Sequence, residues 1–479
     1  MVVYVLAYGP YIALAFGLAL AVVFSGAIAA HFGRLVRNEP APWVFVAIVA
    51  AIMVAPIGMQ RVLSAGLAGF DASIEDVGNT FWVSRIATLV VVALCAERLL
   101  RFFMLRERRP ALAGWPLFWA FCAFALSSQL LNGMLGANRD FDHKWLYAFL
   151  AYFAFFVVAQ QQPERCFAFA RSALLLFLVG SAAVAPIWPS MVIEFGYVGA
   201  LPGFSVRYYG LATHANTMGP LTLALMVVLW RYPFGNRWLN RFAWTMAAGS
   251  LVLSQSKTSL AIGAGLWLYL AAYNYRARLS GEAATRFSIM LWCLAFLAAA
   301  VLAGGILAGV SYFDWADGKL DTVAGSQWAS LSGRTHIWEL AWKEFTAHPV
   351  FGYGPSIWDP IYRFQAGMPF ATHAHNQLLQ SLSAGGLVAG GTLIFYVLML
   401  VRYALRAARM TGGVSVALVT IMLVRSLTEV PFSTAGVMGT EFFVHLLALT
   451  ACLVGLRHAA SVAPASGRGC LPIHSRSDA

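Results

Sequence analysis

Long apolar runs separated by short basic connectors fill most of the chain. A run of roughly 17–24 residues can cross a hydrocarbon core about 30 Å thick. About thirteen such runs are read, near residues 11–30, 42–60, 81–97, 112–131, 144–160, 166–188, 214–230, 242–256, 258–275, 287–310, 386–401, 412–428 and 439–456. Lipid offers no partner for backbone polar groups, so each span must be helical. The pattern predicts an all-α polytopic membrane protein of about 12–13 transmembrane helices. Residues 1–455 form a single transmembrane domain, and 456–479, rich in Ser, Ala, Pro and Arg, is expected to be a disordered cytoplasmic tail. The first run has no basic stretch ahead of it and is expected to be a retained span, not a cleaved signal.

Lysine and arginine placement sets the orientation. With thirteen spans, the loops holding Arg34 and Arg37, Arg98 to Arg109, Arg165, Arg231 to Arg241, Arg276 to Arg286 and Arg402 to Arg409 fall on one side. That side carries 21 Lys and Arg against 6 Asp and Glu, and the other 11 against 14. The basic side is therefore expected to be cytoplasmic, and the opposite face extracytoplasmic.

The longest outer loop, residues 311–385, is rich in Trp, Gly, His and Pro. Long loops with secondary structure of their own are usually functional. Within it, Ser332-Gly333 precedes a run from Arg334 to Ala347 with helical spacing, where Trp338, Trp342 and Phe345 make one apolar stripe. His348-Pro349 and Gly352-Tyr353-Gly354-Pro355 stop that helix. A second helix is expected from Thr372 or His373, with Leu379 and Leu382 below His375 on one face.

Composition fits a chain solvated by lipid. It is 60% hydrophobic and 11% charged, with a mean hydropathy of +0.72, where soluble proteins carry roughly 25% charged residues. The net charge of +12 does not indicate nucleic acid, because the basic residues sit in short clusters between apolar runs. Cys95, Cys122, Cys166, Cys293, Cys452 and Cys470 are scattered without a CxxC spacing, so neither a disulfide framework nor a zinc site is expected.

Polar residues converge on the outer face: Arg207 before the seventh span, Lys257 at the outer end of the ninth, Arg334 and His375 in the long loop, and Arg425 with Glu429 near the end of the twelfth. Each has a plain structural reading. Lys257 can snorkel to the interface, Arg207 can pair with Glu194 or a backbone carbonyl, and Arg425 with Glu429 fits an i, i+4 pair. Arg334 at a helix start would make an anion site. Three unpaired cations facing outward near lipid suggest a membrane-anchored phosphate or diphosphate. His375, in His373-Ala-His375-Asn376, suits a general base, or a capping or packing histidine. Metal binding is disfavoured, because i, i+2 on a helix splays the rings and no carboxylate lies close in sequence. There is no Walker A motif, Gly-x-Ser-x-Gly elbow, His-Glu-x-x-His helix or Asp-x-Asp pair. No cofactor and no metal are expected.

At these residues the sequence resembles the O-antigen ligase and polymerase superfamily of bacterial inner-membrane proteins. Four ordered signatures carry the likeness. They are Arg207-x-x-Gly210 with His214-x-Asn216; Leu253-Ser-x-Ser-Lys-Thr-Ser-Leu260; Ser332-Gly-Arg-x-x-x-Trp338 followed by Pro349-x-x-Gly-Tyr-Gly354; and His373-x-His-Asn376 before Gly385-Gly-Leu387. The resemblance implies a GT-C-like helical architecture and an inverting, metal-independent glycosyl transfer. The donor would be a glycan on undecaprenyl diphosphate, and the acceptor a sugar hydroxyl on a glycolipid or glycan. By position, His375 matches the family's proposed base and Arg334 its diphosphate-binding arginine, with Arg207 and Lys257 as further diphosphate ligands. His373, Asn376, His214, Asn216, Arg425, Glu429, Trp338 and Tyr353 would support them. Lys257 stands where many ligases have arginine, which keeps the charge and loses the fork.

The resemblance leaves ligase onto lipid A-core and polymerase of repeat units as two forms of one chemistry. A lipid-linked glycan transporter would instead place its charges at mid-membrane between repeats, and a structural subunit of an export complex would not need His375.

Overall fold

The computed structural model describes residues 40–63, 77–104, 112–141, 143–197, 205–276, 323–368, 371–434 and 436–456. The expected spans at 11–30 and 287–310, the first part of the long loop and almost all of the tail lie outside the described residues.

Helices account for most of the described chain: α1 (Val44–Gly58), α2 (Val77–Met104), α3 (Trp115–Ala125), α4 (Lys144–Gln161), α5 (Pro163–Val184), α6 (Ala215–Arg231), α7 (Arg237–Leu253), α8 (Lys257–Arg276), α9 (Val323–Ala347), α10 (Gln377–Thr411), α11 (Val414–Arg425) and α12 (Thr440–Leu453). Among the described residues, the stretches Ala41–Gly58, Trp115–Leu135, Pro163–Val184 and Gln377–Thr411 are long and apolar enough to cross a membrane. α11 and α12 are apolar but shorter, and α6 and α7 reach 17 residues each. The all-α reading misses one feature, a small antiparallel ribbon of β1 (Ile193–Phe195) and β2 (Val206–Tyr208).

The core is aromatic. Phe121 stacks on Tyr152 at 3.5 Å, and Tyr396, Phe432 and His445 close around them. α12 is buried along nearly its whole length, so it is the helix about which α4, α5, α10 and α11 pack. Buried His445 meets the hydroxyl of Tyr396, which gives one of its ring nitrogens a partner inside the bundle.

Two departures from helical regularity shape the end of the bundle that carries the polar residues. α3 passes into a π segment, Leu126–Leu131, before a last turn at Asn132–Leu135. α10 breaks at Gly386, whose φ of 63° and ψ of −160° are not helical. A Cβ there would collide with the Val350 carbonyl, so the loop ahead of α10 lies directly on this break.

Residues 323–376 form a layer with its own small core of Ile337, Ala341, Ile357, Trp358, Tyr362, Ala371 and Ala374. Helix α9 starts eleven residues before Arg334, so Arg334 is not at a helix start and gains nothing from the dipole there. The expected Trp338–Trp342–Phe345 stripe is also not the buried one. Trp342 is 53% exposed and leans on Phe345, while Ile337 and Ala341 face inward. Trp338 is half-buried and donates its indole N–H to the Ala374 carbonyl at 3.0 Å. Tyr353 packs edge-on against Tyr362 and its amide donates to the Ser383 carbonyl at 2.9 Å. It fastens the loop to α10.

Candidate functional site

Residues from four parts of the chain meet at one carboxylate. Glu429 lies past the end of α11, its amide donating to the Arg425 carbonyl at 2.7 Å. Its Oε1 is 3.7 Å from the Arg334 guanidinium and 3.4 Å from Nδ2 of Asn216. Its Oε2 is 3.3 Å from Nδ1 of His375 and 3.6 Å from Nε2 of His373. Asn216 extends the network, because its Oδ1 accepts from the Arg207 guanidinium at 2.9 Å.

Local structure explains how each group arrives. Asn376 caps α10, accepting from the Leu379 amide at 3.1 Å, as Asn favours. The helix therefore begins at Gln377, and neither His373 nor His375 is on it. His375 sits just before the cap in the left-handed region, at φ 48°, which costs a residue with a Cβ roughly 1–2 kcal/mol. The surroundings hold it there. The Ala374 amide donates to Gln380, the Ala374 carbonyl takes the Trp338 indole N–H, and the Gln377 amide donates to the Ser426 carbonyl at 2.8 Å. The His375 amide donates to Nδ1 of His373 at 3.1 Å. This turn brings the two rings to 4.0 Å between centroids, where a helix would have splayed them.

On the opposite side His214 caps α6, its Nδ1 accepting from the Asn216 amide at 3.0 Å. Arg207, on β2, donates through Nε to the Ser254 carbonyl at 3.2 Å, and Tyr197 lies under its guanidinium at 4.6 Å. Of the two partners expected for Arg207, Glu194 or a backbone carbonyl, the carbonyl is the one found, and Glu194 accepts from the Tyr209 hydroxyl at 2.9 Å. Lys257, three residues past Ser254, opens α8 with its side chain exposed.

Two sequence expectations change here. Arg425 does not form the expected ion pair with Glu429. Although the Glu429 amide still reaches the Arg425 carbonyl, the guanidinium pairs with Glu441 at 3.4 Å and acts on Glu429 only at longer range. The picture of three unpaired cations also fails, since Arg334 has Glu429 beside it.

The electrostatics are those of a carboxylate pinned by donors. Burial alone would push the Glu429 carboxyl up. His375, His373 and Arg425 outweigh it and hold the carboxyl down at about 2. Burial, then the neighbouring His375, lowers His373 to about 4. Burial and then Arg207 lower His214 to about 4. Both are neutral at pH 7. With Nδ1 of His373 accepting from an amide, its proton is on Nε2, toward Glu429.

The geometry gives His375 a carboxylate partner that sequence did not reveal. The 3.3 Å approach of its Nδ1 is an ion-pair distance without hydrogen-bond alignment, as is common in catalytic pairs before substrate tightens them. With Nδ1 turned to Glu429, Nε2 is the nitrogen left to take a proton. His373, His375 and Glu429 also offer three donor atoms within 4.8 Å of one another, so a divalent cation could be held there. The expectation that no carboxylate lies near His375 is thus corrected. The Arg334 guanidinium on the other oxygen of Glu429 repels such a cation.

Membrane-length helices define an integral membrane protein, and a histidine–carboxylate–arginine cluster stands at the end of its bundle. Residues 242–394 match the family model described as O-Antigen ligase, which supports the superfamily seen in the sequence signatures. No curated protein matches the chain. The matched stretch runs from within α7 to the middle of α10. It holds Lys257, Arg334, Trp338, Tyr353, His373, His375 and Asn376, while Arg207, His214, Asn216, Arg425 and Glu429 come from outside it.

Proposed function

We propose that this chain is an inner-membrane glycosyltransferase of the O-antigen ligase type, with its active face on the periplasmic side. It transfers a glycan from undecaprenyl diphosphate to a sugar hydroxyl of an acceptor glycolipid, lipid A-core in a ligase, with inversion and without a metal. The observation that carries the reading is the His375–Glu429 pair with Arg334 and Asn216-held Arg207 beside it.

In this reading His375 takes the proton of the acceptor hydroxyl on Nε2, and Glu429 steadies the imidazolium that forms. The freed oxygen attacks the anomeric carbon from the face opposite the diphosphate. The bond from that carbon to the diphosphate oxygen breaks, its electron pair leaves with the diphosphate, and the configuration inverts. Arg334, Arg207 and Lys257 receive the growing charge. Each such preorganised donor lowers the barrier by roughly 2.7–4 kcal/mol in comparable sites. Holding donor and acceptor in one membrane plane adds proximity.

A glycolipid gel of a deletion strain complemented with wild type or His375→Ala tests this. Core lacking O-chain in the mutant, with lipid-linked glycan accumulating, is the expected ligase result. Core bearing single repeats, or loss of free exopolysaccharide alone, assigns the same chemistry to a polymerase. Identical gels remove the catalytic reading and favour a transporter or a structural subunit.

A further inference from the structure

Next in the chain to the histidine–carboxylate cluster lies a second feature. A cavity of about 530 Å³ opens between the π segment of α3, the first turns of α10 and the loop after Glu429. The size falls in the roughly 300–1,000 Å³ range of small-molecule sites. It shares two segments with the cluster: Gln377 and Gln380 follow His375 on the same chain turn, and Val430 follows Glu429. His373, His375 and Glu429 do not line it themselves, so the cavity adjoins the cluster through Gln377 and Val430, and none of Arg207, Lys257, Arg334 or Arg425 lines it.

The lining selects a ligand by chemistry. Asp140 and Asp359 oppose a single Lys144, so the charge balance repels a phosphate and leaves the diphosphate to the arginines. Ser128 and Gln129 add a hydroxyl and an amide, a lining too polar for an acyl chain. Carboxylates, amides and hydroxyls around a few aromatic faces, Phe141 among them, match a polyhydroxylated ring. Such a ring offers donors and acceptors at its rim and C–H groups on its faces. The backbone supports a site here as well. Ser128 and Gln129 are carried by Leu126–Leu131, a full π turn, and such turns cost helical regularity and are frequent where a helix serves function.

We propose that this cavity is a saccharide subsite that holds the acceptor sugar beside His375. This rests on the transferase reading above.

Saturation-transfer NMR on the full chain in nanodiscs tests it, with methyl glycosides of glucose, galactose and N-acetylglucosamine as probes. Wild type is expected to give saturation transfer to at least one glycoside, and Arg334→Ala to keep it. Ser128→Trp fills the cavity and is expected to abolish the signal. Asp359→Asn, at an exposed position, is expected to weaken binding about ten-fold, the loss of one charge-assisted hydrogen bond. No signal from wild type, or signals undiminished in both cavity variants, overturns the site. Glycoside binding without transfer from a lipid diphosphate donor keeps the sugar site and removes the transferase reading. Transfer with an acceptor KM unmoved by both variants does the reverse.

Discussion

The imidazole of His375 and the carboxylate of Glu429 meet at 3.3 Å, although one comes from the turn before α10 and the other from the loop after α11. The carboxylate is shared with Arg334 and His373, so one group lies against both imidazoles and a guanidinium at once. Glu429→Gln keeps the shape and removes the charge that steadies His375. Transfer is expected to fall by up to about 10⁴-fold, as for carboxylates behind catalytic histidines. Steady-state rates on membrane vesicles check it, and unchanged rates would make Glu429 a structural ion-pair residue.

The left-handed backbone of His375 predicts a trade of stability for function. His375→Gly removes the Cβ penalty that His375→Ala retains, so it should be the more stable by about 1 kcal/mol. Both variants should lose transfer by roughly 10²–10⁴-fold. Thermal melts of the purified variants decide this, and an alanine variant as stable as the glycine one contradicts it.

Acid should weaken the site in a defined order. His373 and His214 are held neutral, at about 4, below the ordinary 6.5. Their contribution is complete above 6.5 and is lost as pH falls from 6.5 to 4, where the unfolded chain binds protons that the native one refuses. Glu429, held at about 2, contributes above its ordinary 4.5 and loses that share between 4.5 and 2. Melting temperature followed down the pH scale should therefore drop in two stages. A His214→Asn variant, which keeps a capping acceptor, should lose part of the first.

Arg334→Ala should lower transfer roughly 10²–10³-fold, the cost of one charge-stabilising donor. Arg334→Lys keeps the charge without the fork and should recover only part of it. Competition by undecaprenyl diphosphate reports the anion site separately. Equal inhibition of wild type and Arg334→Ala would take Arg334 out of it.

The metal expectation is tested by removal. Extensive chelation should leave transfer unchanged, and added zinc should inhibit by occupying His373, His375 and Glu429. Activity abolished by chelator and restored by zinc would make that triad a metal centre.

Hydropathy made much of the helical framework legible, because lipid forces a helix wherever an apolar run is long enough. The spans near 42–60, 112–131 and 166–188 correspond to Ala41–Gly58, Trp115–Leu135 and Pro163–Val184. Several members of the polar cluster, Arg334, His373, His375, Asn216 and Glu429, could be singled out from sequence, since charges at a membrane boundary stand out, but their wiring could not. Sequence paired Arg425 with Glu429 by helical spacing, and the chain leaves the helix at Arg425. It put His375 on a helix, and Asn376 caps that helix one residue later. The role of Glu429 had one available signal, an acid among basic neighbours at the end of an apolar run. The partner that gives it meaning arrives only through tertiary packing. The π segment and the cavity it lines leave no mark in periodicity.

The most direct measurement is the rate of glycan transfer by the purified chain in nanodiscs, from an undecaprenyl-diphosphate-linked donor to lipid A-core, for wild type and His375→Ala. Loss of a general base predicts a fall of roughly 10²–10⁴-fold with donor binding unchanged. Equal rates in the two proteins would contradict the account.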